Sequence, residues 1–235
     1  MKRFIALLLL CFYYTANSCT TFFLDKNGHL VFGRNYDWIS DAGMVYTNLR
    51  GLAKISFPRT DGSTISWTSK YGSITFNQYG KEMPTGGMNE KGLVVELMWL
   101  DETKYPKQDQ RASVPVLQWI QYQLDNCATI DEVIATDKLI RISQNATPLH
   151  YLIADANGNV ATIEFLDEKM IVHKGKDLAV PVLTNNIYSE SVKVYDEAKK
   201  AGSSFEYGDN SLERFGKACK MVDAFKQYNG KKSIT

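Results

Sequence analysis

Cys19 is the residue whose position in this sequence most directly suggests chemistry. It follows MKRFIALLLLCFYYTANS, in which two cations precede an apolar run and the last residues fit the small-x-small pattern of a signal-peptidase site. Cleavage after Ser18 would leave Cys19 with a free α-amine. Such an amine, with a pKa of about 7.7–8.0, can take the proton from the thiol of its own residue. The sequence therefore predicts an N-terminal cysteine nucleophile; the competing interpretation is a small buried residue.

Arg34 and Asp37 are charged residues that a predicted hairpin brings back close to the Cys19 thiol. A hairpin is predicted over 20–35, because Asn-Gly separates two strand-like runs. Residues i and i+3 of a strand point to opposite faces, so both side chains reach one site only if the chain bends near Asn35. The guanidinium would favour a thiolate, and the carboxylate would hold an ammonium group. Taken alone, the two residues equally fit a surface arginine and a turn aspartate.

Four further residues are candidates for the same site. Asn185 ends an apolar segment, and its side-chain amide could donate to an oxyanion or simply end a strand. Arg214 lies at the start of a predicted helix, where a solvated role is equally open. Trp38 and Trp99 could line an aromatic pocket or belong to the core.

The histidines allow a competing Cys–His mechanism. Of His29, His150 and His173, only His150 is placed to pair with Cys127 or Cys19, and no family signature for such a pair surrounds either cysteine. No Cys/His spacing suits zinc, so neither a metal nor a cofactor is predicted.

The elements that must position these residues follow the order strands, helices, strands, helices, which predicts stacked sheets flanked by helical layers. The predicted strands span 20–25, 29–35, 44–48, 53–57, 64–68, 73–76, 93–100, 149–154, 160–165, 169–174 and 180–184. The segment 86–92 is predicted as a turn-rich lead-in to a strand that is buried on both faces.

Four helices are predicted. The first has Ser113 as its N-cap and Pro115 in its first turn, and the second starts at a capping box of Thr129 and Glu132 and runs through Leu139. The others span 191–201 and 211–228.

Composition limits the class of protein and its location. The 235 residues suffice for one sizeable domain. The net charge of +1 includes Lys2 and Arg3, so the chain from Cys19 carries −1. Such a balance gives no sign of the excess positive charge that nucleic-acid binding requires. The leader is shorter than the roughly 20 apolar residues of a membrane span. Three cysteines remain after the leader, and an odd number leaves at least one thiol unpaired. We predict export to the periplasm or medium, with a lipid anchor on Cys19 as the alternative.

The motifs that carry the candidate residues resemble those of the choloylglycine hydrolase and penicillin V acylase family of amidases with an N-terminal nucleophile. They occur in family order and cover essentially the whole chain after residue 18. The matching motifs are CTTFFL at 19–24, FGRNYDW at 32–38, GGMNEKGL at 86–93, LHYLIAD at 149–155, VLTNN at 182–186 and SLERF at 211–215.

The resemblance implies an α+β fold, an αββα sandwich of two antiparallel sheets between helical layers, over residues 19–235. It also implies hydrolysis of a linear amide C–N bond through a thioester, without a cofactor. By position, Cys19 matches the family nucleophile, Arg34 and Asp37 the arginine and aspartate beside it, Asn185 the oxyanion-hole asparagine, and Arg214 a later site arginine.

Trp99 departs from the family pattern, which often has asparagine or tyrosine at this place. If Trp99 contributes only its backbone N–H, it can still complete the oxyanion hole with Asn185. Its ring, together with Trp38, would favour an aromatic or bulky apolar acyl group. The small-molecule substrates that follow are a conjugated bile salt, penicillin V or an acyl-homoserine lactone.

Chain length is the second departure. Family members usually extend well beyond the helix of Arg214, so the resemblance implies that the closing strands of the sandwich are absent here. The alternative function is then a catalytically inactive binding protein of the same fold. The resemblance also implies a possible homotetramer.

Overall fold

The computed structural model of the chain describes residues 19–58, 62, 64–202 and 208–227. The predicted leader, residues 1–18, lies outside the described residues. The strands are β1 (Thr20–Lys26), β2 (His29–Asn35), β3 (Met44–Asn48), β4 (Ala53–Ile55), β5 (Ser66–Thr68), β6 (Ser73–Asn77), β7 (Pro84–Asn89), β8 (Val94–Trp99), β9 (Ala112–Val114), β10 (Ile140–Ile142), β11 (Leu149–Ala154), β12 (Val160–Leu166), β13 (Lys169–Lys174) and β14 (Val182–Leu183). The α-helices are α1 (Val116–Asn126), α2 (Ile130–Ala135), α3 (Tyr188–Lys200) and α4 (Ser211–Gln227).

Two antiparallel sheets form the centre of the fold. The larger has the order β13-β12-β11-β8-β7-β6-β3, and the smaller has the order β14-β1-β2. Helix α1 packs on β7 and β8 through buried Trp119, Ile120 and Leu124. On the other side, α4 packs on β1 and β14 through buried Phe215 and Cys219. This arrangement of helix, sheet, sheet and helix confirms the predicted sandwich.

The hairpin of β1 and β2 has the predicted tight turn. Asn27 and Gly28 both have positive φ, 55° and 77°, as the two central residues of a type I′ turn require. The register pairs Lys26 with His29 and Thr21 with Arg34. Because β2 ends at Asn35, the chain leaves the strand before Asp37, as the site requires.

The prediction of a turn-rich lead-in over 86–92 is wrong for 86–89, because β7 runs from Pro84 to Asn89 inside the large sheet, and the turn is confined to Glu90 and Lys91. The two glycines allow close packing between neighbouring elements. A Cβ on Gly86 would lie 1.8 Å from the Glu96 carboxylate, and one on Gly87 would lie 2.5 Å from the Ile74 carbonyl oxygen.

The helix caps are confirmed in one case and wrong in the other. The Glu132 amide donates to Thr129 Oγ1 at 3.3 Å, as the capping box predicts, although α2 ends at Ala135 and a 3₁₀ turn follows. Ser113 is not a cap: it lies in β9, which pairs in parallel with β10, and Pro115 precedes the first residue of α1.

The face of the large sheet that meets the small sheet is only partly covered by the described residues. Val45, Ile74, Phe76 and Met88 lie on this face of β3, β6 and β7 and are about half exposed. They border a cleft of about 890 Å³ beside the outer edge of β2. Apolar side chains on the inner face of the large sheet are thus exposed along this cleft. Within the described ranges, no helix combines the length and apolar character needed to cross a membrane.

Candidate active site

Cys19 lies directly before β1, the central strand of the small sheet, so both neighbouring strands bring residues to it. The register of β1 with β14 pairs Thr21 with Leu183, and continuing it by two residues sets Cys19 opposite Asn185. On the other side, Thr20 pairs with Asn35. Pairing along β1 therefore explains why segments far apart in sequence meet at the thiol.

The Cys19 thiol is buried, with 3% of the residue exposed. Its Sγ contacts the backbone oxygen of Asp37 at 3.6 Å. Burial raises the pKa of the thiol, while the bond to Asp37 and the positive charge of Arg34 partly oppose this rise. A standing thiolate is therefore not favoured, and nucleophilic attack needs a base that takes the thiol proton.

Within the described part of the chain, the Arg34 guanidinium is hydrogen-bonded through only one of its three nitrogens. Its Nη1 donates to the Thr85 carbonyl at 3.1 Å and also to the carboxylate of Glu96, and its guanidinium stacks 4.0 Å from the centre of the Tyr36 ring. Nε and Nη2 are buried and have no hydrogen-bond partner among the described residues. The arginine thus keeps two unused donors near the thiol.

Glu96 is a site residue that the sequence prediction missed. Burial raises its pKa to about 7, although the adjacent Arg34 acts in the opposite direction. The only signal in the sequence was a single carboxylate in an otherwise apolar strand, VVELMW. Its partner lies 62 residues earlier, so no local pattern links the two.

Asp37 is exposed, and its carboxylate accepts a hydrogen bond from Asn35 Nδ2 at 3.1 Å. Its negative charge raises the pKa of both the Cys19 thiol and the Arg214 guanidinium. The backbone of Asp37 therefore contacts the thiol, and its carboxylate supplies negative charge close by.

The side chain of Asn185 is held in one orientation. Its Oδ1 accepts from Arg214 Nη2 at 2.7 Å, and its Nδ2 donates to the Trp99 carbonyl at 3.0 Å. Its backbone N–H donates to Ser211 Oγ at 2.8 Å. These contacts use one of the two Nδ2 hydrogens, so the second remains for a further acceptor.

Arg214 connects this amide to the charged part of the site. Its Nη1 also donates to the Asp209 carbonyl. Burial lowers the pKa of the guanidinium, and the charges of Cys19 and Asp37 oppose that effect. The arginine at the start of α4 is thus partly buried and bonded to Asn185, which favours the predicted site role over the solvated one.

Trp38 and Trp99 lie side by side, with ring centroids 5.9 Å apart. Their indole nitrogens donate to Tyr79 Oη at 2.6 Å and to Asp101 Oδ1 at 2.5 Å, respectively. Both rings line a cavity of about 340 Å³ that begins at Cys19. The structure therefore brings together all seven residues that the sequence analysis selected.

His150 contacts neither thiol of the competing mechanism. Its two ring nitrogens instead contact Glu164 and the Thr184 carbonyl. The thiol of Cys127 contacts Gln123, and burial raises its pKa to about 12. All three cysteines of the described ranges are unpaired. No bond in this part of the chain supports a Cys–His pair.

Known proteins resemble this chain over most of its length. Residues 19–224 match the family described as linear amide C–N hydrolases, choloylglycine hydrolase family. The chain is 34% identical over 191 residues to a penicillin V acylase from Pectobacterium atrosepticum, covering 72% of this chain and 49% of that protein.

Solved structures share the fold. A penicillin V acylase from Agrobacterium tumefaciens superposes with a TM-score of 0.76 and 26% identity, over 90% of this chain and 67% of that one. A variant of a conjugated bile acid hydrolase from Clostridium perfringens gives 0.75 and 22%, over 92% of this chain and 75% of that one.

The chain therefore belongs to the choloylglycine hydrolase family of linear amide C–N hydrolases. It spans about half the length of the curated relative that it matches.

Proposed function

We propose that the protein, once cleaved between Ser18 and Cys19, hydrolyses a linear amide with an aromatic acyl group, penicillin V being the reference substrate. One observation carries this proposal: the Cys19 thiol opens onto an aromatic cavity and lies opposite an amide that has an unused N–H. Export to the periplasm or medium belongs to the same proposal.

The first half of the reaction forms a thioester. The α-amine of Cys19 takes the thiol proton as Sγ attacks the amide carbonyl. This base is needed because burial raises the pKa of the thiol. The second Nδ2 hydrogen of Asn185 and the backbone N–H of Trp99 donate to the oxyanion. The ammonium then gives its proton to the leaving nitrogen as the C–N bond breaks, and Asp37 stabilises that ammonium while it is charged.

The second half hydrolyses the thioester. The α-amine, neutral again, takes a proton from a water molecule that attacks the thioester carbonyl. Collapse of the second tetrahedral intermediate breaks the C–S bond, and the ammonium returns its proton to the departing sulfur. The acid product leaves, and the enzyme regains its starting protonation.

The cavity supports an aromatic acyl group over a fused four-ring one. At about 340 Å³ it lies near the lower end of the roughly 300–1,000 Å³ range of ligand pockets. Trp38, Tyr79, Met83, Leu97, Trp99 and Leu117 line it. The name of the Pectobacterium relative, penicillin V acylase, points the same way.

Hydrolysis by the processed protein tests the proposal. Intact mass should first show that residues 1–18 are absent and that Cys19 is unmodified. We then expect faster release of the amine product from penicillin V than from a glycine-conjugated bile salt.

Cys19→Ala should abolish turnover, whereas the matched control Cys127→Ala, which changes another buried thiol, should retain it. Turnover by the Cys19→Ala protein would contradict the mechanism. An acylated Cys19 would instead indicate the lipid-anchored form. A folded, processed protein that cleaves none of the amides would indicate the binding-protein alternative.

A further inference from the structure

The segment 184–187, which carries Asn185, joins β14 to α3 and is held by a buried pair, with Glu164 bonding the chain just after it and His150 bonding its first residue. Glu164 Oε1 accepts a hydrogen bond from the Tyr188 amide, the first residue of α3, at 2.9 Å. The same oxygen lies 3.1 Å from His150 Nδ1. The opposite ring nitrogen of His150, Nε2, lies 2.7 Å from the Thr184 carbonyl oxygen.

The two strands that carry these side chains fix their separation. The register of β11 with β12 pairs Tyr151 with Ile163, and continuing it by one residue sets His150 directly opposite Glu164. Both residues are completely buried. The sheet therefore fixes the positions of both side chains. Through their hydrogen bonds, the pair in turn fixes the position of a segment that is neither strand nor helix.

The hydrogen-bond pattern also determines where the proton on Nε2 must be. A carbonyl oxygen can only accept, so Nε2 carries a hydrogen and donates it to Thr184. Nδ1 and Glu164 Oε1 then share one further proton, as an imidazolium with a carboxylate or as their neutral forms. In either form both contacts of Glu164 Oε1 are satisfied, so the loop is held at its first residue and just after its last.

A role in packing alone does not account for this pair. Two ionisable side chains without solvent contact cost more to bury than apolar residues of the same size, and exchanging such pairs for apolar residues is often neutral or stabilising. What an apolar pair could not do is bind the Thr184 carbonyl and the Tyr188 amide. These are the backbone groups on either side of Asn185.

We propose that His150 and Glu164 are positioning residues that hold the loop of Asn185 so that its free amide N–H points at the reacting carbonyl. The proposal rests on the proposed function insofar as it concerns turnover. Neither side chain touches the substrate in this account. They act through the backbone at 184 and 188, and Asn185 makes the contact.

The direct test compares Glu164→Met, which keeps the volume and removes both acceptor contacts, with Glu164→Gln, whose amide oxygen can still accept from Tyr188. Displacing a catalytic group by about 1 Å can cost roughly 100-fold in rate, so we expect kcat to fall about 10- to 100-fold in the Met variant. KM should change little because the aromatic cavity is untouched. The Gln variant should fall between the wild type and the Met variant, because its amide oxygen keeps the Tyr188 contact but cannot carry the proton shared with His150 Nδ1.

A double-mutant cycle shows whether the effect passes through Asn185. In an Asn185→Ala background, Glu164→Met should cost less than about twofold in kcat, because residues acting as one unit are not additive. Thr75→Val is the matched control: Thr75 is equally buried, on β6 of the same sheet, and bonds Asn48 instead of the loop. It should leave kcat unchanged. Equal losses in both backgrounds, or a loss in the Gln variant as large as that in the Met variant, would overturn the proposal.

Amide hydrogen exchange decides the structural half of the proposal without any turnover. Exchange in peptides covering 184–188 should accelerate in Glu164→Met and accelerate less in Glu164→Gln, which keeps the Tyr188 contact. If the wild-type protein hydrolyses no amide, the proposed function fails while this exchange pattern still tests the positioning. Unchanged exchange in the Met variant would refute it. If the Met variant does not fold, the Gln variant still decides, since its loss of kcat must disappear in the Asn185→Ala background.

Discussion

The Cys19 thiol lies between two polar supports that are built in different ways. On the Asn185 side, hydrogen bonds hold the amide and the backbone on both sides of it. On the Arg34 side, Nε and Nη2 of the guanidinium have no partner among the described residues, and the pKa of Glu96 is about 7. The first support is preorganised for the oxyanion charge of the proposed reaction. The second keeps donors available, and its charge changes near neutral pH.

Asn185→Ala should lower kcat more than any substitution on the Arg34 side of the thiol. Loss of one oxyanion donor typically lowers kcat by about 10²–10³-fold, and we expect a loss of that size with little change in KM. Steady-state hydrolysis of penicillin V measures both constants. Asn186→Ala is the neighbouring control and should retain activity. A comparable loss in that control would mean that the effect arises from the loop and not from the Asn185 amide.

Glu96→Gln should change how stability depends on pH. The raised pKa of Glu96 means that the folded state holds a proton more tightly than the unfolded state, so this contribution is complete below about pH 4.5 and is lost as pH rises through about 7. The shift corresponds to about 3 kcal/mol of unfolding free energy in total.

Urea unfolding at several pH values measures this effect. The wild type should lose stability relative to Glu96→Gln between pH 4.5 and 7.5. The control Glu90→Gln changes a partly exposed carboxylate that pairs with Arg50 and should leave the slope intact. Parallel pH curves for the wild type and Glu96→Gln would show that the Arg34 support does not titrate in this range.

Arg34→Met should have a smaller effect, on the reactivity of the thiol. The positive charge of Arg34 lowers the pKa of Cys19, so its removal should raise that pKa and leave less thiolate at pH 7. We expect alkylation of Cys19 by iodoacetamide to slow several-fold, as followed by mass spectrometry. Arg34→Lys keeps the charge and should alkylate at close to the wild-type rate. Faster alkylation of the Met variant would reverse the assigned electrostatic role.

Local patterns predicted the elements whose causes are local. The turn at Asn27 and Gly28 is specified by two residues that tolerate positive φ, and the cap at Thr129 by a spacing within one helical turn. By contrast, Gly86 was predicted to be a turn residue, although a glycine is needed there because the Glu96 carboxylate of the next strand leaves no room for a side chain. That cause is not visible in the local sequence. Likewise, nothing near Ser113 reveals that its strand pairs with β10.

The same distinction applies to the site. The motif order was enough to name Cys19, Asn185 and Arg214, because family resemblance carries their positions. It did not name Glu96, His150 or Glu164 as supports, since each acts on a residue that is distant in sequence. Register supplies that missing information for Asn185, through the pairing of β1 with β14, and for His150 with Glu164, through the pairing of β11 with β12. The contact of Glu96 with Arg34 instead crosses from the large sheet to the small one.

Gly86 shows that a residue without a side chain can determine which charged groups lie beside the Cys19 thiol. Its missing methyl group leaves the space that the Glu96 carboxylate occupies, and that carboxylate in turn holds Arg34. Positions 86, 96 and 34 therefore form one unit in which a change at the first must alter the other two. A redesign that replaced this glycine to strengthen the strand would alter the electrostatic potential at sulfur, although no ionisable residue had been changed.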